Sequence, residues 1–435
     1  MESKSFARFG RPVYIVDGSR TPFLKARGKP GPFRASDLAV AAARGLLARQ
    51  PFEPAQLDEL IFGCIAPGPD ESNIARVIAL RLGCGDRVPG WTVQRNCASG
   101  LQALDCAARD IASGRCDLVL AGGSESMSHA PVLFDLPMVG WLGELTRSND
   151  AWSRIKALVR FRPSYLKPVS GLLRGLTDPV VGLSMGQTAE ELAYRFGITR
   201  EAMDEYAMQS HKRLAAAQSN GQLCEIETVY DWKGNHYAKD DGVRPDSTME
   251  SLSRLKPVFD REFGQVTAGN SAQITDGAAC LILASGDAVQ RHKLPILGRI
   301  VDVQWAALDP RQMGLGPVYA STPLLQRYRL GLGNMDYWEI NEAFAAQVLA
   351  CLHFWRDRDC CRTELGLDKA MGEIDPERIN VDGGGISLGH PVGASGARIV
   401  LHLVHVLARR GGTRGIATLC VGGGQGGAML VERGG

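Results

Sequence analysis

The sequence predicts an α/β protein made of two similarly wired halves with an irregular region between them. Three observations carry this. First, beyond Cys97 the apolar positions Leu101, Leu104, Ala108 and Ile111 follow helical spacing, and Gly114 offers a stop. "DLVLAGG" (Asp117 to Gly123) then reads as a buried strand entering paired glycines. Second, the same order recurs near the C-terminus. "GASGARIVLHLVHVLARRGG" (Gly393 to Gly412) predicts a helix that stops at glycines and leads into "GIATLCVGGGQGG" (Gly415 to Gly427). Both helices start on Ala-Ser-Gly, and the units run 24 residues from Ala98 to Gly122 and 28 from Ala394 to Gly422. That difference is about one helical turn, as expected of a divergent repeat. Third, residues 129–274 lack this pattern.

The middle region still contains one clear helix, "TREAMDEYAMQSHKRLAAAQSNGQ". Thr199 can cap it, acidic residues follow in the first turns, and Gly221 comes just after it. It also contains Arg147 to Gly175, with seven Lys or Arg, one acidic residue, and Trp152, Phe161 and Tyr165 interleaved. This stretch suits a solvated basic loop over the core. It equally suits peripheral contact with a membrane surface, a partner protein or a phosphate-bearing ligand.

Composition narrows the class. The chain has 435 residues, 45% hydrophobic and 22% charged, with a net charge of +2. That is ordinary for a well-cored protein and gives no sign of nucleic-acid binding. No apolar run of about 18 residues is present, so no membrane span is expected. The start, "MESKSFARFGRPVYIVDGSRTPF", lacks the uninterrupted apolar core of a signal peptide. The 11 cysteines are odd in number and form no C-x-x-C pair, which predicts a reduced, cytoplasmic setting over a disulfide framework. Cys351, His353, Cys360 and Cys361 match no common zinc spacing, so no metal is expected.

Four places could do chemistry. Cys97, in "TVQRNCASGLQAL", lies between a β-prone run and a helix start. The helix dipole there is expected to lower the thiol pKa and favour the thiolate, although a buried small apolar cysteine fits the same position. His390, in "NVDGGGISLGHPVGASGARI", sits in a glycine-rich loop where it can take a proton from a thiol, polarise a carbonyl, or bond backbone. Cys420, in "TLCVGGGQGG", ends a strand before glycines whose N–H groups can form an oxyanion hole or a tight turn. Asn341, in "WEINEAFAAQ", follows an apolar run and can serve as a polar group or as a helix cap.

Taken in order, "NCASGLQAL", "INEAFAAQ", "GGGISLGHPVGASGAR" and "CVGGGQGG" resemble the thiolases, the acetyl-CoA acyltransferases and acetyltransferases. "SRTPF", "AGGSESMS", "MGQTAE" and "VTAGNSAQITDGAA" are similar to further thiolase motifs, so the resemblance covers nearly the whole chain. It implies a five-layered α-β-α-β-α fold of two βαβαβαββ halves with an inserted loop domain. On this chain the N-terminal half would be 1–128 with 275–296, the insert 129–274, and the C-terminal half 297–435. It implies Cys97 as the acyl-accepting nucleophile, His390 as its activator and Cys420 as the acid/base. His390 and a water held by Asn341 would form one oxyanion hole, and the backbone N–H groups of Cys97 and Gly422 the other. Substrate contacts would come from Met185, Ala268, Ser271 and Phe344.

The resemblance further implies CoA thioesters as ligands, with coenzyme A as a substrate and no other cofactor, and a homodimer or homotetramer. The long basic insert resembles that of thiolase subunits in fatty-acid oxidation complexes. This favours degradative 3-ketoacyl-CoA cleavage, with a hydratase/dehydrogenase partner subunit. Condensation of two acetyl-CoA, and a non-catalytic thiolase-like lipid-binding role, are the alternatives. Ketoacyl synthases share the cysteine but pair it with two histidines, or His and Asn, where this chain has Cys420 and "NEAF". The chain departs from the common pattern at Ser184 (often His), Ala272 (often Ser), Asp382 (often Asn) and Gln425 (often Met). The first two put the pantetheine contacts in question.

Overall fold

A computed structural model describes residues 10–434; the first nine residues of the N-terminal segment read above, and Gly435, lie outside it. The chain opens with β1 (Val13–Arg20), β2 (Leu24–Lys25), α1 (Ala35–Ala48), β3 (Glu59–Gly63), α2 (Ile74–Arg81), β4 (Gly90–Val93), α3 (Ser99–Ala112) and β5 (Leu118–Ser126). Then come β6 (Val132–Phe134), α4 (Leu136–Arg147), α5 (Ala151–Val159), β7 (Pro168–Ser170), α6 (Gly171–Gly175), α7 (Met185–Arg195), α8 (Arg200–Ser219), β8 (Val229–Tyr230), β9 (His236–Tyr237) and α9 (Met249–Ser253). The regular pattern resumes with β10 (Thr275–Ser285), α10 (Gly286–His292), β11 (Gly298–Ala307), α11 (Gly316–Arg327) and β12 (Tyr337–Ile340). It ends with α12 (Ala345–Arg356), α13 (Arg358–Leu365), α14 (Gly385–Leu388), α15 (Val392–Arg410), β13 (Arg414–Val421) and β14 (Gln425–Arg433).

The strands run β4-β3-β5-β10-β1-β11-β14-β13-β12, with β2 pairing the end of β10. β1 to β5 with β10 form one half and β11 to β14 the other. The two are joined by a short antiparallel seam, Val13 with Ile300 and Ile15 with Gly298. Each half has the same wiring. β5 and β10 pair antiparallel as β13 and β14 do, and β3 lies parallel to β5 as β12 lies parallel to β13. The halves differ at one edge. Where the first has β4 parallel to β3, the second has only a single parallel bridge between Ile379 and Trp338.

α3 and α15 pack on each other, α3 against the strands of the first half and α15 against those of both; α1 and α2 cover the outside of the first half, and α11 covers the second. The layers are therefore α-β-α-β-α. β5 and β10 are buried at every position, as strands covered on both faces must be. The repeated Ala-Ser-Gly has a packing reason. A Cβ on Gly100 would lie 2.8 Å from Gly393 O, and one on Gly396 would lie 2.4 Å from the Leu101 backbone N. The two central helices cross where neither carries a side chain.

Two expectations change. The glycines of "DLVLAGG" do not end the strand; β5 continues to Ser126, because α15 approaches there and a Cβ on Gly123 would meet Gly393 O at 1.9 Å. The region 129–274 is less irregular than its sequence suggests, since α4, α5 and α7 are short helices with local caps at Asp135, Asp150 and Ser184.

A buried charge cluster ties α15 to the rest. His402 Nδ1 contacts Glu225 at 2.9 Å and its Nε2 lies 3.1 Å from Asp382. Arg409 also pairs with Asp382, and Arg20 holds Asp240 through two bonds of 2.7 and 2.9 Å. Asp382, the departure in "DGG", is thus matched by two cations. Burial opposes charge on His402, but Glu225 and Asp382 outweigh it and push its pKa up to about 10. The folded pKa lies above the unfolded one of about 6.5, so the native state keeps a proton that the unfolded chain releases. This stabilisation is complete below about pH 6.5 and is lost as pH rises towards the folded pKa. His402→Ala is expected to cost about 3–5 kcal/mol in urea unfolding, because it removes the cation that two buried carboxylates share, leaving Glu225 with Arg20 and Asp382 with Arg409 alone.

Candidate active site

Cys97 lies on a sharp turn between β4 and α3. Ala98 N–H donates to Arg95 O at 2.9 Å, Ser99 N–H to Asn96 O at 3.0 Å, and Arg95 N–H to Ser99 Oγ at 2.8 Å. Asn96 has φ +43°, a left-handed conformation that asparagine tolerates better than most residues. Its amide donates to Gly422 O at 2.8 Å, which holds the glycine turn of the second half against the cysteine turn of the first. Cys97 precedes Ala98, the N-cap of α3, and so lies outside the first helical turn. The expectation of a helix-stabilised thiolate is corrected. Burial raises the Cys97 pKa, and the backbone N–H groups of Gly422 and Cys97, both directed at its sulfur, only partly offset this. The resting group is a thiol that needs a base.

His390 is the imidazole that faces the same cavity as Cys97. Glycines and Pro391 set its loop, and its N–H donates to Gln273 O at 3.0 Å. Its Nδ1 lies 2.6 Å from Ser395 Oγ, and that hydroxyl donates to Pro391 O at 3.1 Å. With the serine proton directed at Pro391, Nδ1 carries the imidazole hydrogen and Nε2 keeps a free lone pair. Asn341 Nδ2 approaches Nε2 at 3.5 Å. Burial, assisted by Arg398, lowers the His390 pKa to about 4, so the ring is neutral at neutral pH. Asn341 does not cap α12; Phe344 occupies that position, and the amide turns to His390.

Cys420 ends β13. Burial first, then the nearby Cys97 and Cys351, raises its pKa well above the usual thiol range, so it rests as a proton donor. The turn that follows needs glycine. Gly423 and Gly424 have φ +90° and +73°, and a Cβ on Gly424 would meet Leu308 O at 2.2 Å.

Cys97, His390 and Cys420 face one cavity of about 630 Å³. Met185, Ala268, Ser271 and Phe344 line the same space. Asn341 lies behind His390, and Gly422 lies at Cys97 but lines a second cavity of about 510 Å³ that also reaches Cys97 and Met185. The structure therefore places the candidate residues other than Asn341 along two cavities that both reach Cys97. Ser271 turns its hydroxyl to Thr267 O at 2.6 Å, so this group is taken up by backbone. Ser184 caps α7 by accepting from Gln187 N–H at 3.3 Å, which gives that departure a local role.

Several residues that hold the site carry no strong sequence signal. Glu342 accepts from Ser210 Oγ at 2.7 Å and Asn380 Nδ2 at 2.9 Å, locking "NEAF" to the histidine loop. Gln273 Nε2 donates to Gly242 O at 2.8 Å and Ile386 O at 3.0 Å. Glu125 accepts from Ile65 and Ala66 N–H at 2.9 and 3.0 Å and from Gly393 N–H at 3.1 Å, fixing the start of α15. Lys25 and the exposed Arg244 line the active-site cavity too. Partial burial, then Arg244 and Arg27, lowers the Lys25 pKa, as expected where cations cluster without a counter-ion of equal weight.

This geometry agrees with the comparisons to known proteins. The thiolase N-terminal domain model matches residues 13–287 and the thiolase C-terminal domain model matches 294–433. A 3-ketoacyl-CoA thiolase of Serratia proteamaculans is 37% identical over 98% of both chains. A β-ketoadipyl-CoA thiolase of Pseudomonas aeruginosa is 40% identical over 97% of this chain and 99% of its own. The crystal structure of human mitochondrial 3-ketoacyl-CoA thiolase in complex with CoA superposes with a TM-score of 0.84 at 37% identity, covering 99% of this chain and 100% of that one. The acetyl-CoA acetyltransferase of Bacillus anthracis superposes with 0.83 at 36% identity, covering 98% and 99%.

Proposed function

Since the chain belongs to the thiolase family, we propose that it cleaves 3-ketoacyl-CoA with coenzyme A, giving acetyl-CoA and a shortened acyl-CoA through a thioester on Cys97. The supporting observation is a buried site with two thiols and one neutral imidazole around a single cavity. His390 Nε2 takes the Cys97 proton, and the sulfur attacks the 3-keto carbon. The bond between C2 and C3 then breaks, the acyl group stays on Cys97, and Cys420 protonates C2 of the departing acetyl-CoA. Coenzyme A enters, gives its thiol proton to Cys420, and attacks the thioester. Acyl-CoA leaves, and Cys97 recovers its proton from His390. A cysteine hydrolase would have no use for Cys420, and a lipid carrier would have no use for any of the three.

In this reading the cavity with Ala268 and Phe344 takes pantetheine, and Lys25 and Arg244 attract the CoA phosphates. Asn341 and His390 face one developing oxyanion; the N–H groups of Cys97 and Gly422 face the other. The second cavity takes the acyl chain. Among the described residues no Lys or Arg lines it, while Glu125 and Asp178 do. A dicarboxylic tail such as β-ketoadipyl would meet carboxylates without a cation, so an aliphatic tail is the better match. The halves are 1–128 with 275–296, and 297–435, around an insert at 129–274. A homo-oligomer in the cytoplasm completes the proposal. Among the described residues β4 ends the sheet as an unpaired edge close to Cys97 in sequence, where a second copy can add. All 11 cysteines are free, as in a reducing compartment.

The test is CoA-dependent cleavage of 3-ketoacyl-CoA from short to long chain, with 3-ketoadipyl-CoA alongside. Cleavage of several aliphatic lengths, with kcat/KM at least about tenfold above 3-ketoadipyl-CoA, is expected. Activity confined to acetoacetyl-CoA would make the chain an acetyltransferase, and no cleavage at any length would sink the proposal.

A further inference from the structure

The cavity that takes the acyl chain is not purely apolar. Leu172, Leu176 and Val180 line it, and so do Glu125, Asp178 and Gln425. Both oxygens of Glu125 are occupied. Oε2 accepts from Ile65 and Gly393 N–H at 2.9 and 3.1 Å, and Oε1 from Ala66 N–H at 3.0 Å. Its role is complete without a ligand. Asp178 and Gln425 differ.

Asp178 opens the turn that joins α6 to α7. Its N–H donates to Leu183 O at 2.8 Å, and Gly182 N–H donates back to Asp178 O at 3.0 Å. Its Oδ1 accepts from the N–H groups of Val180 and Val181 at 2.8 and 3.0 Å. These bonds close the turn with one oxygen, and serine or asparagine would close it as well. Among the described residues Oδ2 has no hydrogen-bond partner and no cation, although the residue is only 3% exposed. A buried carboxylate oxygen left without a donor is costly. Capping the turn accounts for Oδ1 and leaves Oδ2 unexplained.

Gln425 is the second signal. It stands where thiolases often have methionine. Its half-buried side chain makes no hydrogen bond among the described residues. Methionine would continue an apolar wall, whereas glutamine interrupts it with an amide. An unbranched alkyl tail would strip water from both groups and return no hydrogen bond. A carboxylate is an acceptor only, so Asp178 needs a donor from the ligand. An ammonium tail would satisfy Asp178 but has no lone pair for the Gln425 amide. A hydroxyl donates and accepts, which suits both.

We propose that Asp178 and Gln425 form a hydroxyl-recognising subsite in the acyl cavity, so that the preferred 3-ketoacyl-CoA carries a hydroxyl group on its acyl chain. The inference rests on the cleavage reaction and the acyl cavity proposed above.

The experiment compares kcat/KM of the full chain for 3-ketodecanoyl-CoA, for the same thioester with a hydroxyl on each carbon from C5 to C10 in turn, and for a chain ending in an amine. At least one hydroxylated chain is expected to exceed the plain chain by about tenfold or more, mainly through KM. The readout is a ratio within one protein, so a change in overall activity does not blur it. Asp178→Asn keeps an oxygen for the turn and puts a donor in place of the open acceptor; its ratio should fall to about one. In Gln425→Met the ratio should fall at least about threefold. Gln425 lies outside the turn, so this variant decides the question where Asp178→Asn does not fold. Equal kcat/KM for plain and hydroxylated chains at every position would overturn the proposal, as would a preference that the variants keep. A preference for the amine would assign Asp178 to a cation and also overturn it. Cleavage of the plain chain separates these failures from failure of the reaction itself, since no cleavage of any chain would remove the thiolase reading and the subsite with it.

Discussion

Replacing Cys97 by alanine is expected to lower CoA-dependent cleavage by at least about 10⁴-fold while leaving the fold intact. Cys97 is the one thiol that both cavities reach, and the N–H groups of Gly422 and Cys97 point at its sulfur. No neighbour can take over. Cys420 is buried at the end of β13 with its proton held more tightly than usual, and Cys351 lies deeper in the core. The alanine side chain is smaller than the thiol on a turn held by backbone bonds, so urea unfolding should shift by no more than about 1 kcal/mol. Cys97→Ser should be nearly as inactive, since a hydroxyl is far harder to ionise than a thiol beside a neutral imidazole. Cleavage rates near native in either variant, with unchanged stability, would remove the nucleophile from its assigned place.

Cys420→Ala is expected to lose about 10²–10⁴-fold in cleavage, the usual contribution of a positioned acid. The loss should be selective. Breaking the C2–C3 bond leaves a carbanion that needs a proton at carbon, and forming that bond in reverse needs the same proton removed. Exchange of labelled coenzyme A into acetyl-CoA moves no proton at carbon; it uses Cys420 only for the thiol proton of coenzyme A, which water or buffer can also carry. Exchange should therefore survive much better than cleavage. Equal loss of both reactions would mean that protonation at carbon is not the step that Cys420 chiefly supports.

These two thiols also show what a sequence can reveal. The repeat was legible because Gly100 and Gly396 meet each other's helices at the same crossing, so one packing constraint left the same Ala-Ser-Gly twice. The ordered motifs around Cys97, Asn341, His390 and Cys420 were legible for the same kind of reason. Each is a short turn whose backbone geometry restricts the residues around it. The protonation of Cys97 was not legible. Its position beside a helix start suggested a lowered pKa, but burial is set by the His390 and Gly422 loops, which lie about three hundred residues away in sequence.

The supporting groups were hidden for related reasons. Glu342, Gln273 and Glu125 act through backbone partners from distant loops, and nothing in their local sequence separates them from ordinary polar residues. Ser395 could have been found, because a catalytic imidazole needs its Nδ1 engaged and a serine five residues on, one turn into α15, can reach it. Helices α4 and α5 escaped because their apolar stripes face outward. A pattern read as burial has no core to point to, and the basic residues between read as loop. Asp382 reads in the sequence as a simple departure from the family pattern, and only the fold brings His402 and Arg409 to flank it.

The central claim is that the acyl group passes through the sulfur of Cys97. The most direct test is to mix the native chain with acetyl-CoA or a 3-ketoacyl-CoA, quench in acid, and map the acyl adduct by peptide mass. The prediction is one acyl group per chain, on the peptide containing Cys97, discharged when coenzyme A is added before the quench and absent in Cys97→Ala. An adduct on Cys420 or elsewhere, or cleavage that proceeds with no adduct formed, would contradict it.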